Sequence, residues 1–261
     1  MTEANYIHGT AQSEQARLAA LNRLTNGPFI EFLGVTPGAN VLEIGSGLGI
    51  LAAEVADAAA GVQVTGLERS PEQIAAAAPH PRVKYVEGDA HQLPCADGTF
   101  DLVYCRYLLE HVSDPARVVA EMRRVAKPGG RVAVMENDTS LVRFDPPCPA
   151  FQAIWAAFAR YQWQLKGDAF IGRRIFRLLK DAGFEQVELS LQPELHWSGS
   201  PNFSAWIENI VGNLESARAG LIESGTCKAE QLTYVDAELR QLANRRDASA
   251  TFAWNRAMAT R

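Results

Sequence analysis

An α/β fold with a mostly parallel sheet and helices on both faces is what this sequence predicts, and three observations carry the prediction. Short apolar runs alternate with helical patterns from residue 41 to residue 135, the rhythm of parallel strands joined by right-handed crossovers. The first run, Val41 to Ile44, enters a turn with glycines at alternate positions, Gly45, Gly47 and Gly49. The second, Val62 to Leu67, ends in Glu68. A backbone without Cβ lets a ligand approach closely, and a carboxylate at the next strand end can accept hydrogen bonds from both hydroxyls of a ribose. Together they suggest a nucleoside cofactor at the carboxyl ends of the strands.

Each element has its own signal. Apolar positions between Ala11 and Phe32 fall at helical spacing, interrupted at Asn26-Gly27-Pro28, which predicts one or two helices ahead of the sheet. Val41–Ile44 is the first strand, and Ile50–Ala60 an alanine-rich helix that starts on the glycine turn. After the second strand, Ser70-Pro71-Glu72-Gln73 places an N-cap before a proline at the first helical position. Val83–Glu87 and Phe100–Cys105 are strands three and four. A helix from about Asp114 to Val125 stops at Lys127-Pro128-Gly129-Gly130, before strand five at Arg131–Met135.

The rhythm then changes. Pro146, Pro147 and Pro149 form a rigid connector into the aromatic-rich segment Phe151, Trp155, Phe158, Tyr161 and Trp163. A helix at Ile171–Ala182, a Gly183 stop and a sixth strand at Gln186–Leu191 resume the α/β pattern. A helical stretch from about Asn202 to Asn244 precedes a last strand, Ala250–Ala259. The implied organisation is an arm (1–36), a cofactor-binding core (37–136), a cap insertion (137–170), a core continuation (171–192), a helical cap (193–246) and a final core strand (247–261).

With 261 residues, 47% apolar and 21% charged, the chain suits a soluble globular protein. Its formal net charge of −5 provides no basic footprint for a phosphate backbone, so a small molecule is expected as substrate and no nucleic acid. Cys95, Cys105, Cys148 and Cys227 make no C-x-x-C pair and the five histidines form no ligand cluster. No metal and no disulfide are expected. Met1 to Asn5 has no basic region leading into an apolar one, and no apolar run is long enough for a membrane span. A cytoplasmic monomer or homodimer is expected.

From Asn40 to about Val134 the chain resembles the small-molecule branch of class I S-adenosylmethionine (SAM) dependent methyltransferases, described as methyltransferase type 11 or UbiE-like. The resemblance rests on Glu43-Ile44-Gly45-Ser46-Gly47-Leu48-Gly49, Glu68, Gly88-Asp89-Ala90, Phe100-Asp101-Leu102-Val103, Leu109-Glu110-His111-Val112 and Arg124-Val125-Ala126-Lys127-Pro128-Gly129-Gly130, in that order. It implies a seven-stranded Rossmann-like sheet in which strand seven runs antiparallel between strands five and six. SAM is then the cofactor and S-adenosylhomocysteine (SAH) the product.

Matched by position, the resemblance implies that Glu43, Gly45, Ser46 and Gly47 line the methionine part of SAM, with Glu68 on the ribose and Arg69 beside it. Asp89 would take the adenine amino group, the Ala90 amide the ring, and Arg106 the methionyl moiety. Tyr6, Ile7, His8 and Gly9, with Gln15 and Arg17, look like an arm that closes over the cofactor. The acceptor pocket is expected from His8, Tyr107, Tyr161, Trp163 and His196. If the acceptor needs deprotonation, His111 and Glu136 are the candidate bases, the latter because it ends strand five at the cleft mouth. Two other readings stay open: a SAM-binding regulatory protein without activity, and an NAD-dependent oxidoreductase. The latter is weakened by Ile50 where a dinucleotide fingerprint wants glycine.

Overall fold

The computed structural model describes residues 12–261, with side chains from Arg17 onward. Its centre is one sheet whose strands β1 (Asn40–Ile44), β2 (Gln63–Glu68), β3 (Val83–Glu87), β4 (Phe100–Arg106) and β5 (Ala126–Glu136) lie parallel in the order 3-2-1-4-5. β8 (Ser249–Thr260) runs antiparallel beside β5, and β7 (Gln186–Trp197) antiparallel beside β8. The expected position of the last strand, between the fifth and the sixth, is therefore met. An eighth strand, β6 (Arg143–Asp145), was not anticipated because three residues are too few to show a period.

Alternate residues of the inner strands feed two cores. Leu42, Ile44, Val103, Cys105, Val132 and Val134 pack under α4 (Pro115–Val125) and α6 (Ile175–Asp181). Val41, Leu102, Tyr104, Ala133 and Met135 face the opposite core, which includes α1 (Gln12–Leu33), α2 (Ile50–Asp57), α5 (Pro149–Gln164), α7 (Phe203–Glu223) and α8 (Ala229–Ala243). Burial on both faces explains why these strands read as continuous apolar runs without polar alternation.

Several boundaries differ from the sequence reading. α1 continues unbroken through Pro28, which costs a ladder hydrogen bond; the buried Phe29 and Leu33 hold its last turns on the sheet. α2 stops at Asp57, short of the expected Ala60. β7 extends past Leu191 to Trp197, so residues 193–197, expected to begin a helical cap, are strand. Their alternation of exposed and buried positions is the period-two signal.

The long β7–β8 ribbon outgrows its neighbours. β5 pairs with β8 only at residues 255–260 and β6 only at 249–251, so Phe252, Ala253 and Trp254 pair with β7 alone. The sheet is open on that side, and Phe252 and Trp254 border the main cleft there.

Candidate active site

A cleft of about 1330 Å³ opens at the carboxyl ends of β1, β2, β3 and β4. That exceeds the roughly 300–1,000 Å³ of an ordinary single-ligand pocket, which leaves room for two molecules. Its two ends differ in construction.

One end is made of turns. Gly45, Gly47 and Gly49 all have positive φ (77°, 53° and 71°), a region costly for other residues. A Cβ on Gly45 would lie 3.0 Å from Leu108, and one on Gly47 3.2 Å from the Gln73 amide oxygen. The Glu68 carboxylate braces the turn: Oε2 accepts from Gly47 N (2.9 Å), and Oε1 from Arg69 N (2.8 Å) and Ser70 N (2.9 Å). These bonds orient Glu68 at the cleft wall with acceptor capacity left over, since a carboxylate offers about four lone-pair sites.

Glu43 is 5% exposed on the same wall, and its Oε2 has no hydrogen-bond partner. Burial pushes its carboxyl up to about 8, against the pull of the Arg106 guanidinium. A buried carboxyl with an unused oxygen, whose ionisation a bound cation would favour, stands beside glycines that keep the backbone bare, an arrangement for a compact cation without phosphates. SAM, with its sulfonium and ammonium, is such a ligand, and the residues present fit it.

Asp89 lies at the far side of this end with Ala90. Burial works against its ionisation, but bonds from the His91 amide (2.9 Å) and ring Nδ1 (2.8 Å) hold it below the usual carboxylate range. Arg17, Ser46, Arg69, Arg106, Tyr107 and His111 also line the cleft. Arg106, however, turns its guanidinium toward α1, donating to Thr25 Oγ1 (3.2 Å), Asn26 Oδ1 (2.7 Å) and Asn22 Oδ1. It clamps the arm helix, a role the spacing alone did not reveal. Arg17 donates to Asn209 Oδ1 on α7 at 2.9 Å.

The other end is aromatic. Trp155 and Phe158 of α5 stack at 5.0 Å, Phe252 meets Trp254 edge-on at 4.5 Å, and Tyr107 packs on Trp254 at 4.5 Å. Trp206, Asn209 and Asn213 of α7 complete the wall. Tyr107 is a non-glycine residue with φ of 53°, at the junction of the two ends. Strain of this kind persists only where surrounding contacts over-determine it; here Arg106 and Trp254 pack against the ring.

Four expected residues lie elsewhere. Glu136 is fully buried, and its Oε1 accepts from Leu108 N (3.0 Å) and Leu109 N (2.8 Å). Burial, then the nearby Glu110, raises its carboxyl far above the ordinary range. It secures the turn after β4 and does not border the cleft. Trp163 is 74% exposed on the outer side of α5. Tyr161 points its hydroxyl at Gly220 on α7, and His196 lies buried behind Trp206. The aromatic period of α5 was legible, but which of its faces looked inward was not. Trp155 and Phe158 take the place expected for Tyr161 and Trp163. Tyr6 and His8 fall outside the described residues. Trp206, Phe252 and Trp254 also line the cleft and were missed; for the last two, the gap between β5 and β6 that leaves them paired with β7 alone has no local signal.

Comparison with known proteins agrees with this geometry. Residues 42–134 match the family model described as a methyltransferase domain. An uncharacterized methyltransferase of Synechocystis is 34% identical over 186 residues, covering 67% of this chain and 82% of its own length. A demethylmenaquinone methyltransferase of Beutenbergia cavernae is 35% identical over 139 residues, 53% of this chain and 55% of that protein. The chain spans about half the length of several of the curated relatives it matches. Among solved structures, phosphoethanolamine N-methyltransferase 2 of Haemonchus contortus, in complex with phosphomonomethylethanolamine and SAH, superposes with a TM-score of 0.54 at 21% identity, over 95% of this chain and 52% of that one. The chain therefore belongs to the class I SAM-dependent methyltransferases, of the UbiE-like type.

Proposed function

We propose that this protein methylates a small, largely apolar metabolite, with SAM at the glycine-turn end of the cleft and the acceptor at the aromatic end. The observation that carries the reading is the division of one cleft into a cation-suited wall, Glu43 with the Gly45–Gly47 turn and Glu68, and a ring-lined chamber beside it. When bound, SAM supplies an electrophilic methyl group on sulfur. The chain's own residues hold and orient. Glu68 takes the ribose hydroxyls, Asp89 and the Ala90 amide the adenine, and Glu43 the positive end.

The aromatic chamber excludes water and aligns the acceptor, which is most of what in-line displacement demands of an enzyme. His111, which lines the cleft with its Nε2 3.8 Å from Glu110 Oε1, would take a proton from the acceptor. Relatives named for demethylmenaquinone and ubiquinone biosynthesis support an apolar acceptor. Among the described residues no helix is long and apolar enough to cross a membrane. A cytoplasmic monomer or homodimer acting without nucleic acid is part of this reading.

Titration calorimetry with SAH, followed by mass spectrometry of a panel of phenols and quinols incubated with SAM, tests it. Stoichiometric SAH binding and a product heavier by one methylene are expected. A folded protein that ignores SAH overturns the cofactor half; one that binds SAH while methylating only charged, ring-free amines overturns the acceptor half.

A further inference from the structure

Behind the aromatic chamber, on the inward face of the β7–β8 ribbon, lies a buried polar pair that borders no part of the cleft. Glu194 is 9% exposed and His196 6%. Glu194 Oε1 accepts from the Trp254 indole Nε1 at 3.1 Å and from Gln192 Nε2 at 3.2 Å. Its Oε2 lies 3.3 Å from His196 Nε2. The His196 ring stacks on Trp206, with centroids 5.1 Å apart and planes inclined by 29°. Both tryptophans that border the chamber from β8 and α7 are thus tied to a single Glu–His pair, one by a hydrogen bond and the other by stacking.

Stability alone does not account for this pair. Burying two ionisable groups is costly, and apolar residues of the same volume commonly do as well or better. What the pair adds is direction. An indole packed among hydrocarbons has several acceptable tilts, whereas one whose N–H must meet a fixed carboxylate oxygen has few. Tyr107 on the other side of Trp254 narrows the choice further. Glu194 Oε1 is taken by two donors, and its Oε2 faces His196 behind the cleft wall, so the carboxyl does not face an ammonium acceptor in the chamber. The chamber is consequently a slot bounded by rings of fixed tilt, which suits a neutral, planar, conjugated molecule.

We propose that Glu194 and His196 are positioning residues for acceptor specificity: by fixing Trp254 and Trp206 from behind, they set a slot that selects a planar conjugated ring. The proposal rests on the reading of the aromatic end as the acceptor site.

The test uses the full chain saturated with SAH and two probes, 1-naphthol and its saturated counterpart decahydro-1-naphthol, followed by fluorescence and calorimetry. The wild type should bind 1-naphthol at least about tenfold more tightly than the saturated alcohol. Glu194→Ala and His196→Ala should shrink that ratio to about twofold while leaving SAH affinity unchanged. Glu194→Gln, which keeps an oxygen for the indole N–H, should restore most of it. A ratio unchanged in both alanine variants, or no rescue by Glu194→Gln, overturns the proposal. Trp254→Ala separates the two levels. If it leaves naphthol binding intact, the chamber is not the acceptor site and both readings fall; if it abolishes binding while the alanine variants retain full ring preference, only the positioning role falls. Should Glu194→Ala fail to fold, His196→Ala and Glu194→Gln decide the question, because a role confined to stability would lower melting temperature without moving the ratio.

Discussion

The two ends of the cleft are built on different principles. At the proposed cofactor end the ligand would meet backbone: glycines in the left-handed region, amides gathered by Glu68, and strand ends at fixed register. At the proposed acceptor end it would meet side chains, delivered by α5, α7 and the β8 stretch that no strand but β7 accompanies. Backbone geometry is set by residues close in sequence, so the first end is dictated locally. The second depends on segments up to about a hundred residues apart. A shared cofactor and a private acceptor demand this division of labour.

The sharpest way to break the contrast is Gly47→Val. A branched side chain at φ 53° is strained, and its Cβ would press on Gln73 where the cofactor is proposed to run. SAH binding should disappear from calorimetry while far-UV circular dichroism stays that of a folded α/β protein. Next in size, Trp254→Ala should lower kcat/KM for the acceptor roughly a hundredfold with SAH affinity within about threefold, the asymmetry expected of a central aromatic contact. Comparable losses for both ligands would mean that the ends are not separate.

Glu68→Ala should weaken SAM and SAH tenfold or more, since hydrogen bonds to a charged group are worth roughly 1.5–3 kcal/mol each. It should also lower the melting temperature, because the amides of Gly47, Arg69 and Ser70 lose their acceptor.

Glu43 gives a pH signature. Its folded value of about 8 lies above the unfolded 4.5, so the folded state keeps a proton that the unfolded chain has released. The stabilisation by the neutral carboxyl is complete below 4.5 and declines as pH rises toward about 8. Glu136, raised by burial, acts with the same sign. Glu43→Gln should therefore reduce, without erasing, the fall in denaturant midpoint between about pH 5 and pH 8. An unchanged slope would place the proton elsewhere. The smallest effect belongs to Trp163→Ala: at 74% exposure and away from the cleft, its loss should alter acceptor kinetics by less than about twofold.

The same contrast explains what the sequence disclosed. The parallel strands, the glycine turn and Glu68 were legible because each is a local event with its own period or spacing. The antiparallel place of the last strand came through the family resemblance. The direction of the Arg106 side chain was hidden, because its partners Asn22, Thr25 and Asn26 lie some eighty residues away. Glu136 was misjudged for a related reason: a strand-end carboxylate reads the same whether it faces a cleft or ties down a neighbouring turn. Of the aromatic chamber, Tyr107 was named and the rest was visible only as composition. Helical period identifies the faces of α5, but not which of them meets a cavity.

The outward face of β7 has a consequence for the protein as a solute. Leu189, Leu191, Leu195 and Trp197 are each more than half exposed, and together with Pro193 they line one side of a sheet edge. A long apolar edge strand invites the same strand of another molecule to add to it. Midway along, Pro193 has no N–H to offer such a newcomer, so a ladder begun at either end breaks at the middle. Proline at that position acts as a stop against sheet-to-sheet growth, and Pro193→Val would be expected to shorten the protein's shelf life in concentrated solution before it touched catalysis.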